Sequence, residues 1–103
     1  MDGQNLSLDV RRDGDSITVL AEGEIDKATA PILRDCLTEL QGDVVLDLAA
    51  LEFLDSTGLG VLIRANRTLE QTGGTLRVRA PQPQVRRVLD ITGLGEWIAD
   101  PES

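Results

Sequence analysis

The chain contains no histidine and no tyrosine, and Phe53 and Trp97 are its only aromatic residues. Without histidine, Ser–His and Cys–His nucleophile pairs are excluded, as is any histidine-ligated metal site. Two aromatics cannot build a platform on which nucleic-acid bases stack. A single cysteine, Cys36, leaves no internal disulfide. The fold must therefore hold by packing, as proteins of a reducing cytoplasm do. Cations are scarce as well: nine Arg and Lys27 stand against eighteen acidic residues, for a net charge of −8. That balance argues against direct nucleic-acid binding, which needs basic patches to neutralise phosphates, and against anionic membrane surfaces. It permits an acidic face that meets a basic protein partner. No apolar run approaches the roughly 18 residues that span a bilayer, and the polar start Met1 to Asn5 is unlike a secretory leader. A cytoplasmic protein without membrane insertion is expected. Catalysis by this chain alone would have to use carboxylates, Arg and Lys27, so no enzyme is expected, and no metal or cofactor is implied. Glu24 and Asp26 are two carboxylates close in sequence, but a cation site needs more ligands than that.

A length of 103 residues fits one domain, and about two thirds of the unfolded surface can be buried at this size. The expected domain covers residues 1–103, with 1–4 and 100–103 as frayed ends. Leu6 to Val10 alternates apolar and polar residues. Arg11 to Asp15 reads as a turn, and Ile17, Val19 and Ala21 resume the alternation, which predicts a β-hairpin. The period changes after Asp26. Thr29 is a candidate cap and Pro31 suits a first helical turn. Ile32, Leu33, Cys36, Leu37 and Leu40 mark one face of a helix running to about Gln41, with Gly42 as its stop. Cys36 is read there as a core residue, a reactive thiol being the other reading.

Val44, Val45, Leu46 and Leu48 form a nearly continuous apolar run broken by Asp47, as in a strand covered on both faces. A helix over 55–72 follows, then a short strand over 75–80. Pro81 and Pro83 open a third helix with Val85, Val88 and Leu89 inward, and a last edge strand is predicted over Glu96 to Ala99. The order β-β-α-β-α-β-α-β predicts an α/β fold. It has a small mixed sheet, with helices on one face and the other partly exposed.

The rest of the chain is organised around Leu51 to Arg67, L-E-F-L-D-S-T-G-L-G-V-L-I-R-A-N-R. Leu59, Leu62, Ile63 and Leu69 recur at the spacings of one helix face, and Asp55, Ser56 and Thr57 stand just ahead of it. These residue types cap helix starts, because their oxygens accept hydrogen bonds from otherwise unpaired N–H groups. Ser56 is thus expected where a strand hands over to a helix, its hydroxyl near free donors, a corner suited to an exchangeable anionic group. The plain reading of Ser56 is a cap that is never modified. Gly58 and Gly60 do not form a nucleotide loop, since G-x-x-x-x-G-K-[ST] is absent. They are expected to let the first turn approach another surface closely. One of Leu59 and Val61 is expected in the core and the other in an exposed contact patch. Arg64 and Arg67, one turn apart, are read as a solvated face, partner contacts being the other reading.

Four blocks together resemble the anti-sigma factor antagonists, single STAS domains of bacterial partner-switching systems. They are G-E-I-D at 23–26, V-V-L-D-L at 44–48, F-L-D-S-T-G-L-G-V-L at 53–62, and V-R-R-V-L-D-I-T-G-L at 85–94. The resemblance implies that the unphosphorylated protein binds an anti-sigma factor, itself a serine kinase with an ATP-binding domain, and so frees a sigma factor. It implies phosphorylation at Ser56, with Thr57 as the lesser candidate, and resetting by a metal-dependent serine phosphatase. It further implies a partner surface comprising Asp26, Asp55, Ser56, Thr57, Gly58, Leu59 and Gly60. Two other jobs remain open. One is an accessory STAS subunit of a membrane lipid-transport ATPase complex. The other is a small carboxylate enzyme or nucleotide hydrolase, which would need turnover by the isolated chain.

Overall fold

The computed structural model describes residues 5–97. Two strands, β1 (Leu6–Asp13) and β2 (Ser16–Ile25), open the chain and pair antiparallel. Their connection is tighter than the sequence pattern suggests. Asp13 pairs with Ser16, so Arg11 to Asp13 are strand and only two residues turn. Gly14 holds φ at +64°, the left-handed backbone that two-residue hairpins require and glycine adopts without steric cost.

Next come α1 (Ala30–Thr38), β3 (Asp43–Leu54), α2 (Ser56–Glu70), β4 (Thr75–Arg79) and α3 (Pro83–Ile91). The sheet order is β1-β2-β3-β4, with β3 parallel to both β2 and β4. Each parallel pair is joined through a helix, the connection parallel strands need. Alternate residues of β2, of β4 and of the first half of β3 point into one core: Ile17, Val19 and Ala21 from β2, Val44, Leu46 and Leu48 from β3, Leu76 and Val78 from β4. The helices close over that face with Leu33 and Leu37, Leu59, Leu62 and Leu69, and Val85 and Leu89. The opposite face stays open, as predicted. There Asp47 sits beside its register partner Arg79, whose Nη2 donates to Asp47 Oδ2 at 2.7 Å. The strand carboxylate is therefore paired.

β3 reaches well past β4. Its register against β2 shifts between Leu20 and Glu22, and again between Gly23 and Glu24. An extra residue re-phases the strand: Ala49 and Ala50 are both exposed while Leu51 and Leu54 turn inward. Gln82 and Gln84 of the α3 start donate to the carbonyls of Ala49 and Glu52, which have no strand partner on that side. The overhang carries the chain beyond the sheet to the start of α2.

Three local expectations are corrected. Helix α1 ends at Thr38 rather than about Gln41, because the Glu39 and Leu40 N–H groups bond back to Cys36 and Leu37 in a tightened last turn. Thr29 does occupy the N-cap position of that helix, but its side chain makes no capping hydrogen bond. Its hydroxyl is occupied, donating to the Glu24 carbonyl at 2.8 Å and accepting from the Asp26 N–H at 2.9 Å. Finally, the predicted last strand is absent at Glu96 and Trp97, which lie in a 3₁₀ turn, Gly95–Trp97. Gly93 takes φ +84° after α3, and the Leu94 N–H bonds back to the Leu89 carbonyl at 2.7 Å. That closure folds the chain onto the domain, where Trp97 packs against the core instead of extending along a sheet edge. Ile98 and Ala99 lie outside the described residues, as do the two expected frayed ends. Among the described residues no helix is long and apolar enough to cross a membrane.

Candidate functional site

The overhang of β3 ends at Leu54, and α2 begins two residues later. Asp55 makes the corner. Its backbone is extended, its N–H donates to the Ile25 carbonyl at 3.1 Å, and its Oδ1 accepts from the Gly58 N–H at 3.1 Å. Asp55, not Ser56, is therefore the helix cap. Ser56 is the first helical residue, exposed, and its hydroxyl makes no hydrogen bond among the described residues. The Ser56 and Thr57 N–H groups likewise find no partner there, as expected for the first turn of a helix. Ser56 does not serve as the cap, because the neighbouring carboxylate has taken that role.

The Ile25–Asp55 bond brings the loop after β2 alongside this corner. In that loop Asp26 Oδ1 accepts from the Ala28 and Thr29 N–H groups, both at 3.0 Å, so the carboxylate fixes the entry to α1. Asp26, Asp55, Ser56 and Thr57 thus share one end of the molecule, beside the free N-terminus of α2.

Gly58 and Leu59 do not share its surface. Both are buried. A Cβ on Gly58 would stand 2.5 Å from Ile25 Cγ2 and 2.6 Å from Leu54 Cδ1, closer than real Cβ atoms come to neighbours. This glycine is what lets the first turn of α2 settle on the sheet. Gly60 is different: half exposed, with nothing nearer to a built Cβ than the Arg64 guanidinium, at 3.9 and 4.0 Å. So the close approach predicted for both glycines holds at one of them. The split predicted for Leu59 and Val61 fails, since both are buried. The exposed large apolar residues of this stretch are instead Phe53, 47 % exposed, at the end of β3, and Ile63, 39 % exposed, two turns into α2. The apolar spacing put Ile63 on one helix face with Leu59, Leu62 and Leu69, which the structure buries. Ile63 itself lies at the edge of the buried arc, because the core face of α2 centres on Gly58, Leu62 and Leu69.

Sequence reasoning also missed the convergence of three cations. A groove of about 240 Å3 runs between the start of α1 and the start of α2, and Lys27, Arg34 and Arg64 line it together with Ser56, Thr57 and Gly60. No carboxylate lines it, although the chain carries a net charge of −8. The one available signal was the row Ser56, Gly60, Arg64 at four-residue steps, which share a helix face. The half-buried Cys36 lies on α1, its thiol pKa pushed up by burial, so it carries little thiolate at neutral pH.

Residues 7–102 match the STAS domain. The anti-sigma-B factor antagonist of Bacillus subtilis (strain 168) is 37 % identical over 97 residues, 91 % of this chain and 89 % of that protein. An anti-sigma factor antagonist from Mycobacterium paratuberculosis superposes with a TM-score of 0.81 at 31 % identity, covering 92 % of this chain and 84 % of that one. The unphosphorylated form of the anti-sigma factor antagonist SpoIIAA superposes with a TM-score of 0.79 at 25 % identity, over 91 % and 87 % of the two chains. With its fold and its sequence in agreement, this chain belongs to the STAS domain family.

Proposed function

We propose that this chain is a cytoplasmic, single-domain anti-sigma factor antagonist whose binding is set by phosphorylation of Ser56. In its unphosphorylated form it binds an anti-sigma factor that is a serine kinase with an ATP-binding domain, and so frees a sigma factor. The kinase transfers the γ-phosphoryl group of ATP to Ser56 Oγ. The ester bond forms, the bond from phosphorus to the ADP oxygen breaks, and the hydroxyl proton passes to a base on the kinase. A metal-dependent phosphatase then hydrolyses the ester with water. The chain acts by binding and carries no catalytic step of its own.

The observation that carries this reading is the state of the Ser56 side chain: exposed, free of hydrogen bonds among the described residues, and relieved of capping duty by Asp55. A hydroxyl in that state can be esterified without unfolding anything. Phosphorylation adds roughly −1.5 to −2 charges and three acceptor oxygens. An interface fitted to a small hydroxyl, with Phe53 and Ile63 exposed in the same stretch as apolar contacts, would have to admit a hydrated dianion. A loss of about 3 kcal/mol weakens a complex by about two orders of magnitude. The role named for the Bacillus subtilis relative supports the antagonist assignment.

Calorimetric titration against ATP-binding kinases of the same genome tests it. Ser56→Ala should bind like the unmodified protein and resist phosphorylation, while Ser56→Asp should bind about 100-fold more weakly. Equal affinities for the two variants would refute the switch. Mass spectrometry of the peptide around residue 56 decides between Ser56 and Thr57.

A further inference from the structure

We infer that Arg64 receives the phosphate of phosphorylated Ser56, so that the modified side chain is clamped within the chain itself. This rests on the proposed modification of Ser56. Three observations lead to it. The Arg64 guanidinium lies over Gly60, within 4.0 Å of where a Cβ would stand, so it is folded back along α2 toward the first turn. Helical side chains lean toward the N-terminus, and residues four apart stack on one face. Ser56, Gly60 and Arg64 form such a row, and Gly60 leaves its middle position empty. The rise from Ser56 to Gly60 is about 6 Å, a gap that a phosphate ester and a small side-chain rotation close.

Charge is the second observation. Three of the chain's ten cationic side chains line this one groove, without a carboxylate among its lining residues. The nearby carboxylates are engaged. Asp26 and Asp55 accept backbone N–H groups through Oδ1, and Asp35 pairs with Arg34 at 3.1 Å. The third is availability. Arg64 forms no ion pair among the described residues, so it is free to take a new anion. A guanidinium meets phosphate with two parallel hydrogen bonds, which makes it the favoured cation for this task. Phosphorylation would then act twice on a partner: it adds a bulky anion, and it withdraws Arg64 from the exposed face.

The test needs no kinase. Phosphoserine is placed at residue 56 by genetically encoded incorporation, and its second ionisation is followed by phosphorus NMR. The ordinary value is about 6. The groups facing the phosphate are Lys27, Arg34 and Arg64, with Asp26 and Asp55 behind, and the first-turn N–H groups act equally in every variant. The unaltered phosphoprotein should titrate about half a unit or more below its Arg64→Gln variant. Arg67→Gln, which removes the same charge outside the groove, should leave the value in place, and Arg64→Lys should restore only part of the shift. Identical titrations of the unaltered and Arg64→Gln proteins would overturn the clamp, as would an equal shift from Arg67→Gln. Because the phosphate is installed without a kinase, this outcome is independent of whether Ser56→Ala and Ser56→Asp differ in partner binding.

Discussion

The two sides of α2 each carry a glycine and put it to opposite uses. On the inner side Gly58, Leu59, Leu62 and Leu69 are buried against the sheet, and Gly58 is pressed onto Ile25 and Leu54. On the outer side Ser56, Thr57, Gly60, Ile63 and Arg64 border a groove or face solvent. One glycine is needed because something is too close. The other leaves space open above it. The seven residues implied as a partner surface therefore divide by helix geometry: Gly58 and Leu59 hold the corner in place, while Asp26, Asp55, Ser56, Thr57 and Gly60 are left at or near the surface.

This contrast can be broken most severely at Gly58. Gly58→Val should destabilise the fold by about 3 kcal/mol, because side-chain atoms must displace Ile25 and Leu54 from a packed core. Thermal melting should fall by more than about 10 °C. If the protein melts unchanged, the close approach is wrong. Asp55→Ala should cost about 1 kcal/mol through the lost cap at the Gly58 N–H, read as a shift of the urea midpoint at constant slope. Gly60→Ala should move the other way, stabilising by about 0.5–1 kcal/mol, since helix propensity improves and the new methyl group meets only the Arg64 guanidinium at ordinary contact distance. Opposite signs for glycines two residues apart would sharpen the contrast, and equal signs would erase it. The smallest effect belongs to Ser56→Ala, expected within about 0.5 kcal/mol of the parent in the same melts. Any larger loss would mean that the hydroxyl carries structure after all.

Much of this was legible in the chain. The alternation at Ile17, Val19 and Ala21 and the spacing of Leu59, Leu62 and Leu69 report local periods, and each lies where the pattern implied. The apolar run at Val44 to Leu48 is a strand as expected, but it is covered on one face only: Val44, Leu46 and Leu48 enter the core while Val45 and Asp47 lie half-exposed on the open face. The Asp55-Ser56-Thr57 cluster announced a helix start but not which residue would cap it. That choice depended on Asp55 being held by the Ile25 carbonyl, from a segment thirty residues earlier. Ile63 was grouped with the apolar face and yet stays exposed, because it lies just off the buried arc and nothing local says where a sheet's cover ends. Trp97 looked like part of a strand because Glu96 to Ala99 is short and mixed. Its turn follows from the left-handed Gly93 and the Leu94–Leu89 bond.

The sequence by itself determined the order of the first seven elements, the inward alternation of β2 and the absence of histidine chemistry, because periodicity and composition are properties of neighbouring residues and of the whole list. Only the tertiary structure decided that Gly58 is closed and Gly60 open, that Asp55 frees the Ser56 hydroxyl, and that Lys27 and Arg34 come to flank Arg64. Each of those depends on segments far apart in the chain being packed within a few ångströms, and that distance is written in no local pattern.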